Sequence, residues 1–188
     1  MSQALWYASR ATGLVSLLLV TATTVLGLLG ASRVATASWP RFVVAGLHRN
    51  LSLLTVAFLA VHISTAVIDP YAGIKWLDAV LPFTSSYQPI WLGLGAVALD
   101  LMIAITVTSL LRTRMSHRAW RIVHLTSYAL WPIVVIHGLG NGGTDRHQAW
   151  ILALYALCFL AVAAAGLLRL RATHPDTELR NVNVARWR

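Results

Sequence analysis

The sequence predicts an all-α membrane protein: a polytopic bundle of about five transmembrane helices, N-terminus outside and C-terminus cytoplasmic. Three observations carry that prediction. The 188 residues are 57% hydrophobic and only 11% charged, where soluble domains are about a quarter charged. The apolar residues gather into runs that approach the roughly 20 needed to cross a bilayer as helix. The cations fall on alternate sides of those runs. Nothing alternates in the short segments of a membrane β-barrel.

The runs place spans at about 11–31, 48–68, 89–111, 120–138 and 148–170. The first resembles a cleavable signal, with Ala35-Thr36-Ala37 as a small-residue site. Its apolar run is about 20 residues, longer than an h-region of about 7–15, so it reads as a true helix. Thr21, Thr23, Thr24, Gly27 and Gly30 within it suit close packing between membrane helices. The connection 69–88 is the longest. It carries Tyr71, Trp76, Phe83 and Tyr87, as an interfacial belt does, and its stretch Ile74 to Leu81 reads as a short amphipathic cover. Residues 1–170 thus form one membrane domain, and 171–188 a short basic cytoplasmic tail.

The net charge of +9 does not point to nucleic acid, because its distribution follows the membrane. Arg33, Arg41, Arg49, Arg112, Arg114, Arg118, Arg121, Arg169, Arg171, Arg180, Arg186 and Arg188 lie after span 1, after span 3 or in the tail; Arg10, Lys75 and Arg146 lie opposite. That is 12 against 3, the positive-inside pattern. Such loops anchor to anionic headgroups. Cys158 is the single cysteine and no C-x-x-C-H is present, so any haem is b-type rather than thioether-linked. Gly138-Leu139-Gly140-Asn141-Gly142-Gly143 matches G-x-G-x-x-G. It follows an apolar helix instead of a strand, so it is a turn and not a dinucleotide site.

Four histidines form two matched pairs. His48 and His62 are 14 residues apart, His124 and His137 are 13 apart. Imidazoles inside a span are rare because lipid offers their nitrogens no partner. Fourteen residues rise about 21 Å and return within about 40° of the same face. Thirteen rise about 19.5 Å but leave a mismatch of about 140°. Pro132 lies between His124 and His137, and a proline kink is expected to turn His137 back. Spans 2 and 4 run the same way, so His48 shares a level with His124, and His62 with His137. Each pair suits the two axial ligands of a haem iron, about 20 Å apart along the membrane normal. Zinc wants three or four ligands around one point, which this spread denies. His117, His147 and His174 read as solvated interfacial residues.

The segments Leu47-His48-Arg49-Asn50-Leu51-Ser52 through His62, Trp120-Arg121-Ile122-Val123-His124 through His137, and Trp6 to Leu14 resemble the ferric reductase-like transmembrane domain family. That family contains NADPH oxidases, ferric-chelate reductases and the haem-binding membrane subunit of the bacterial methionine sulfoxide reductase system. The resemblance covers most of residues 5–170. It implies two b-type haems held by His48, His62, His124 and His137, with electrons moving from the cytoplasmic side outwards. Many relatives have six spans and a cytoplasmic flavin and nicotinamide domain. With five spans and no such domain, the expected donor is a separate flavoprotein or a membrane quinol.

Haem propionates want cations. Arg49, Arg114, Arg118 and Arg121 surround the inner level, and Arg10 is similar in position to a family arginine near the outer haem. Trp131 falls midway between His124 and His137, as core packing or as a medium between haems; Phe58 is a weaker case. Asp100, deep in span 3, marks function by default: the open readings are a bond to a ligand histidine, a proton or quinone site, and a protonated packing residue. No residue is expected to be catalytic in itself.

The leading expectation is an oxidoreductase component of a bacterial plasma membrane, passing electrons to a ferric chelate, a protein or oxygen. A quinone-linked cytochrome b subunit, with a pocket near Asp100 or the inner arginines, is the second reading. A haem-free transporter or assembly factor is the third.

Overall fold

The structure, a computed structural model, describes residues 3–31 and 40–171. The segment holding Arg33 and Ala35-Thr36-Ala37, and the tail with His174, Arg180, Arg186 and Arg188, lie outside the described residues. Seven α-helices follow in order: α1 Gln3–Ala31, α2 Arg41–Ile68, α3 Trp76–Val80, α4 Pro89–Leu110, α5 His117–Leu125, α6 Ser127–Gly140 and α7 Ala149–Arg171. Two 3₁₀ turns, Arg112–Arg114 and Gly143–His147, complete the chain path, and the described residues hold no strand. Among the described residues, five helical segments are long and apolar enough to cross a membrane: Ala4–Gly30, Arg41–Ile68, Pro89–Leu110, His117–Gly140 and Ala149–Arg171.

The ends obey local chemistry. Pro40 is extended and α2 starts directly after it. Asp69 is extended and stops α2, because the residue before a proline, here Pro70, disfavours the helical region. Pro89 occupies the first turn of α4, where its missing N–H costs nothing. The Ser116 hydroxyl accepts from the Ala119 N–H at 3.2 Å and caps α5, as a serine N-cap should. The first two spans each begin about seven residues before the apolar runs suggest. Trp6, Tyr7 and Arg10 in α1, and Arg41 and His48 in α2, dilute the hydropathy of turns that are nevertheless helical.

Span 4 is two helices. The interruption falls at Thr126, whose N–H bonds to the Val123 carbonyl at 3.0 Å and whose hydroxyl bonds to the same carbonyl at 2.7 Å. This is a tightened 3₁₀-type turn, which winds faster than the α-helix. Pro132, where the sequence places the irregularity, sits inside α6. The interruption between His124 and His137 therefore falls six residues before the proline.

Packing explains the open space between the helices. α2 lies along α1, and α6 lies along α4; α1 also packs on α6 and α7. Among the described residues α2 makes no comparably extensive packing with α4 or α6. Thr55 is its one buried residue. A slot is left between the α1–α2 pair and the α4–α6 pair. The tight core lies where α1 meets α6 and α7, with Leu17, Val20, Trp131 and Cys158 packed together. The Trp131 indole N–H donates to the Thr21 hydroxyl at 3.0 Å, and that hydroxyl donates to the Leu17 carbonyl at 2.8 Å. Leu53, Leu54, Leu157, Phe159, Leu160 and Leu167 are exposed, as lipid-facing side chains are. Thr12, Ser52, Thr65 and Thr108 bond back to carbonyls of their own helix, which satisfies a hydroxyl where no water is present.

Replacing Thr21 with valine is expected to leave the buried indole N–H unpaired and to cost about 1 kcal/mol. Thermal unfolding in detergent, compared with the parent chain, checks this; an unchanged midpoint contradicts it.

Candidate functional site

Three of the four paired histidines sit in the same kind of seat. The His62 Nδ1 is 2.8 Å from the Ser9 carbonyl, the His48 Nδ1 is 3.0 Å from the Thr23 carbonyl, and the His137 Nδ1 is 2.7 Å from the Trp91 carbonyl. A carbonyl only accepts, so each Nδ1 carries the hydrogen and donates it. The neutral ring is then fixed with its lone pair on Nε2, the arrangement of a metal-ligating histidine.

Each seat also has a glycine four residues after the accepting carbonyl. A Cβ on Gly13 would stand 3.0 Å from the His62 ring, one on Gly27 3.4 Å from the His48 ring, and one on Gly95 2.6 Å from the His137 ring. The reason is helical geometry. The carbonyl of residue i bonds to the N–H of i+4, so a bare i+4 lets an imidazole reach the spare lone pair. Gly13 and Gly27 are 14 apart, as are Ser9 and Thr23, and so are His62 and His48. The antiparallel α1 repeats the seat at the spacing of the α2 histidines.

His124 is different. Its Nδ1 is buried and has no hydrogen-bond partner. Its ring stacks on Trp120, centroids 4.9 Å apart and planes at 22°, and Arg112 lies 4.5 Å over the Trp120 ring. The Trp120 Nε1 is likewise buried and unpartnered.

The rings pair by level. His48 and His124 have centroids 6.2 Å apart with planes at 64°. Two imidazoles bound on opposite sides of one metal at about 2 Å per bond stand roughly 6 Å apart between ring centres, so this pair fits a bis-imidazole iron. His62 and His137 face a common cavity of about 660 Å³, within the size of cofactor sites at about 300–1,000 Å³. Its walls come from α1 (Arg10, Gly13, Leu17), α2 (Thr55, Leu59, His62), α4 (Gly95, Leu99, Met102) and α6 (Leu130, Val134, His137). The lining is mostly apolar with a few convergent polar groups. Ser16, also in the wall, has a buried hydroxyl without a partner. These residues fit a large, flat, mostly apolar prosthetic group with two axial positions. No cluster of three or more His, Cys, Asp or Glu side chains that could hold a bare metal ion is found among the described residues.

The other expected site residues divide. Arg10 lines the cavity; it pairs with Asp145 at 3.2 Å, donates to the Gly142 carbonyl at 2.6 Å and lies 4.6 Å over the Trp6 ring. Arg49, Arg114, Arg118 and Arg121 are exposed at the His48–His124 end. Trp131 is buried in the α1–α6–α7 core and does not line the cavity. Asp100 is exposed on α4 and does not line it either. Phe58 is half-buried and outside the lining. The stretch Ile74–Leu81 contains the short helix α3, which packs against α4, and its Ile74 and Ala79 line part of the cavity. Sequence reasoning missed Ser9, Thr23 and Trp91 as acceptors, together with the glycines that expose them. It also missed Arg112 and the buried Asp69, which lines the cavity and accepts from the Tyr71 N–H at 3.1 Å. The 14-residue repeat of Gly13 and Gly27 was the available signal.

The family model described as ferric reductase like transmembrane component matches residues 12–135. That range holds both members of the His48–His124 pair, and His62. The chain belongs to this family. No curated protein and no solved structure matches it.

Arg10 ties the turn between α6 and α7 to the start of α1. Arg10→Ala is expected to speed amide exchange across 141–148 more than Asp145→Asn does. A part-exposed ion pair contributes about 0–1 kcal/mol, whereas a charge-assisted bond such as that to Gly142 contributes about 1.5–3 kcal/mol. Equal effects would show that the ion pair alone holds the turn.

Proposed function

We propose that this chain moves electrons across the membrane through two b-type haems, one ligated by His48 and His124 and the other by His62 and His137. The observation that carries the reading is the shared seat: three imidazoles hold Nδ1 on a neighbouring backbone carbonyl and keep Nε2 free. Membership of the ferric reductase-like transmembrane family supports electron transfer as the general activity. Haem iron, when bound, supplies the one-electron couple.

The chain's own residues do the rest. The four imidazoles would hold the two haems, and a pair of histidine ligands to each would suit electron transfer over oxygen binding at the metal. Gly13, Gly27 and Gly95 let the rings approach the helix axis. The apolar wall of Leu17, Leu59, Leu99, Met102 and Val134 excludes water. Arg10 offers a cation at the cavity's polar end, where a propionate would lie. The arginine asymmetry supports a cytoplasmic side for the His48–His124 level. Electrons then enter there from a separate flavoprotein or quinol and leave at the His62–His137 level to an outer acceptor.

The test is the haem content of purified protein made with ample haem. Two b-type haems per chain are expected, and His62→Ala is expected to retain about one. A parent protein without a Soret band contradicts the reading and favours a haem-free membrane role.

A further inference from the structure

We infer that electrons enter this chain through the Trp120 indole, from a soluble one-electron carrier whose acidic rim docks on the arginines around it. The inference rests on the proposed function above and adds the entry point and the chemistry of the donor. Two independent observations carry it, a ladder of rings and an unbalanced charge.

The ladder belongs to α5. Positions 117, 120 and 124 are three and four residues apart and share one face of a helix. Their rings follow one another. His117 and Trp120 have centroids 5.7 Å apart, Trp120 and His124 stack at 4.9 Å with planes at 22°, and His124 meets His48 at 6.2 Å. His117 is exposed and Trp120 half-buried, so the ladder runs from the surface to the paired imidazoles. The His124 Nδ1 has no acceptor, and the indole is the surface on which its ring rests. Tunnelling falls steeply with the gap to be crossed, and contact between ring faces shortens that gap. The donor loses one electron, which reduces ferric iron held at this level to ferrous. Trp120 is itself neither oxidised nor reduced, and no bond forms or breaks.

The charge lies at the same end. The Arg112 guanidinium is 4.5 Å over the Trp120 ring, and Arg49, Arg114, Arg118 and Arg121 are exposed. Among the described residues no acid accompanies them: Asp69, Asp78 and Asp145 lie toward the opposite end, and Asp100 lies midway along α4. An unneutralised basic patch draws in anionic partners and speeds their encounter. Anchoring to lipid headgroups asks nothing of where an arginine rests, yet Arg112 rests on the indole that touches a paired histidine. A carrier with carboxylates around its redox group fits this patch. A quinol carries no charge for the arginines to attract.

The test is stopped-flow reduction of the haem-loaded full chain in neutral detergent. Reduced flavodoxin, an acidic flavoprotein, is the probe, and dithionite is the donor that needs no docking. Flavodoxin should react roughly tenfold faster at low salt than at high salt, and Arg112→Glu should abolish most of that advantage while the dithionite rate holds. Trp120→Leu should slow flavodoxin at every salt concentration, and Trp120→Phe, which keeps a ring, should restore the rate. Because Trp120→Leu can lose the neighbouring haem, haem content is read for each variant, and the salt series with Arg112→Glu decides by itself. Flavodoxin rates that ignore both salt and Arg112→Glu overturn the docking site. A Trp120→Leu chain that keeps two haems and reacts at the parent rate overturns the entry route. If Arg112→Glu weakens only the binding of anionic-lipid vesicles, the patch is a headgroup anchor and the inference fails. In those cases the haem reading stands; a chain that takes up no haem overturns both.

Discussion

An imidazole in a bilayer has two nitrogens to satisfy and no water to satisfy them. The rest of this structure depends on how that constraint is met. A helical carbonyl has a second lone pair beyond its own i+4 bond, and a glycine at i+4 exposes it. Ser9 with Gly13, Thr23 with Gly27, and Trp91 with Gly95 are three uses of the same device. Meeting the need at Nδ1 leaves Nε2 as a lone pair pointed away from the seat. It also forces α1 to lie close along α2, and α4 along α6, so that the rings reach the backbone. The slot between the two helix pairs then follows from which helices must touch.

The division of labour within α1 follows from the same geometry. Gly13 and Gly27 serve the seats, and Arg10 and Gly13 the cavity wall. Leu17 and Val20 stand at the border, lining the cavity while packing with Trp131 and Cys158, and Thr21 bonds the Trp131 indole. The helix is therefore both a wall of the site and the piece that joins the α1–α2 and α4–α6 pairs through α6 and α7. The lipid-facing surfaces ask little of the sequence beyond hydrophobicity, and they hold most of the exposed leucines.

Much of this was legible from residue spacing. Long apolar runs announced the five spans, and helical rise and rotation paired His48 with His62 on one face. For the His124 and His137 spacing the remedy was sought at Pro132, whereas the helix is also interrupted at Thr126. Pro132 is conspicuous in a sequence, whereas a single tightened turn at Thr126 carries no composition signal. Trp131 was placed by counting residues, which fixes depth but not direction; its direction is set by the hydrogen bond to Thr21. Asp100 drew attention through its depth in the span, yet it is exposed on α4. Asp69, read only as part of a loop, is the carboxylate that is buried at the cavity. Anchoring carbonyls have no side-chain identity, so they are invisible until the helices are docked. The glycines beside them are visible, and the matched intervals of 14 in α1 and α2 are their trace.

The central claim is that each iron would be held by two neutral imidazoles from facing helices. Low-temperature electron paramagnetic resonance of the oxidised, haem-loaded protein tests it most directly. The account predicts low-spin ferric signals alone, accounting for two irons per chain. A dominant high-spin ferric signal would contradict it, because an iron with an open or weakly filled axial position does not have the paired ligands these helices present.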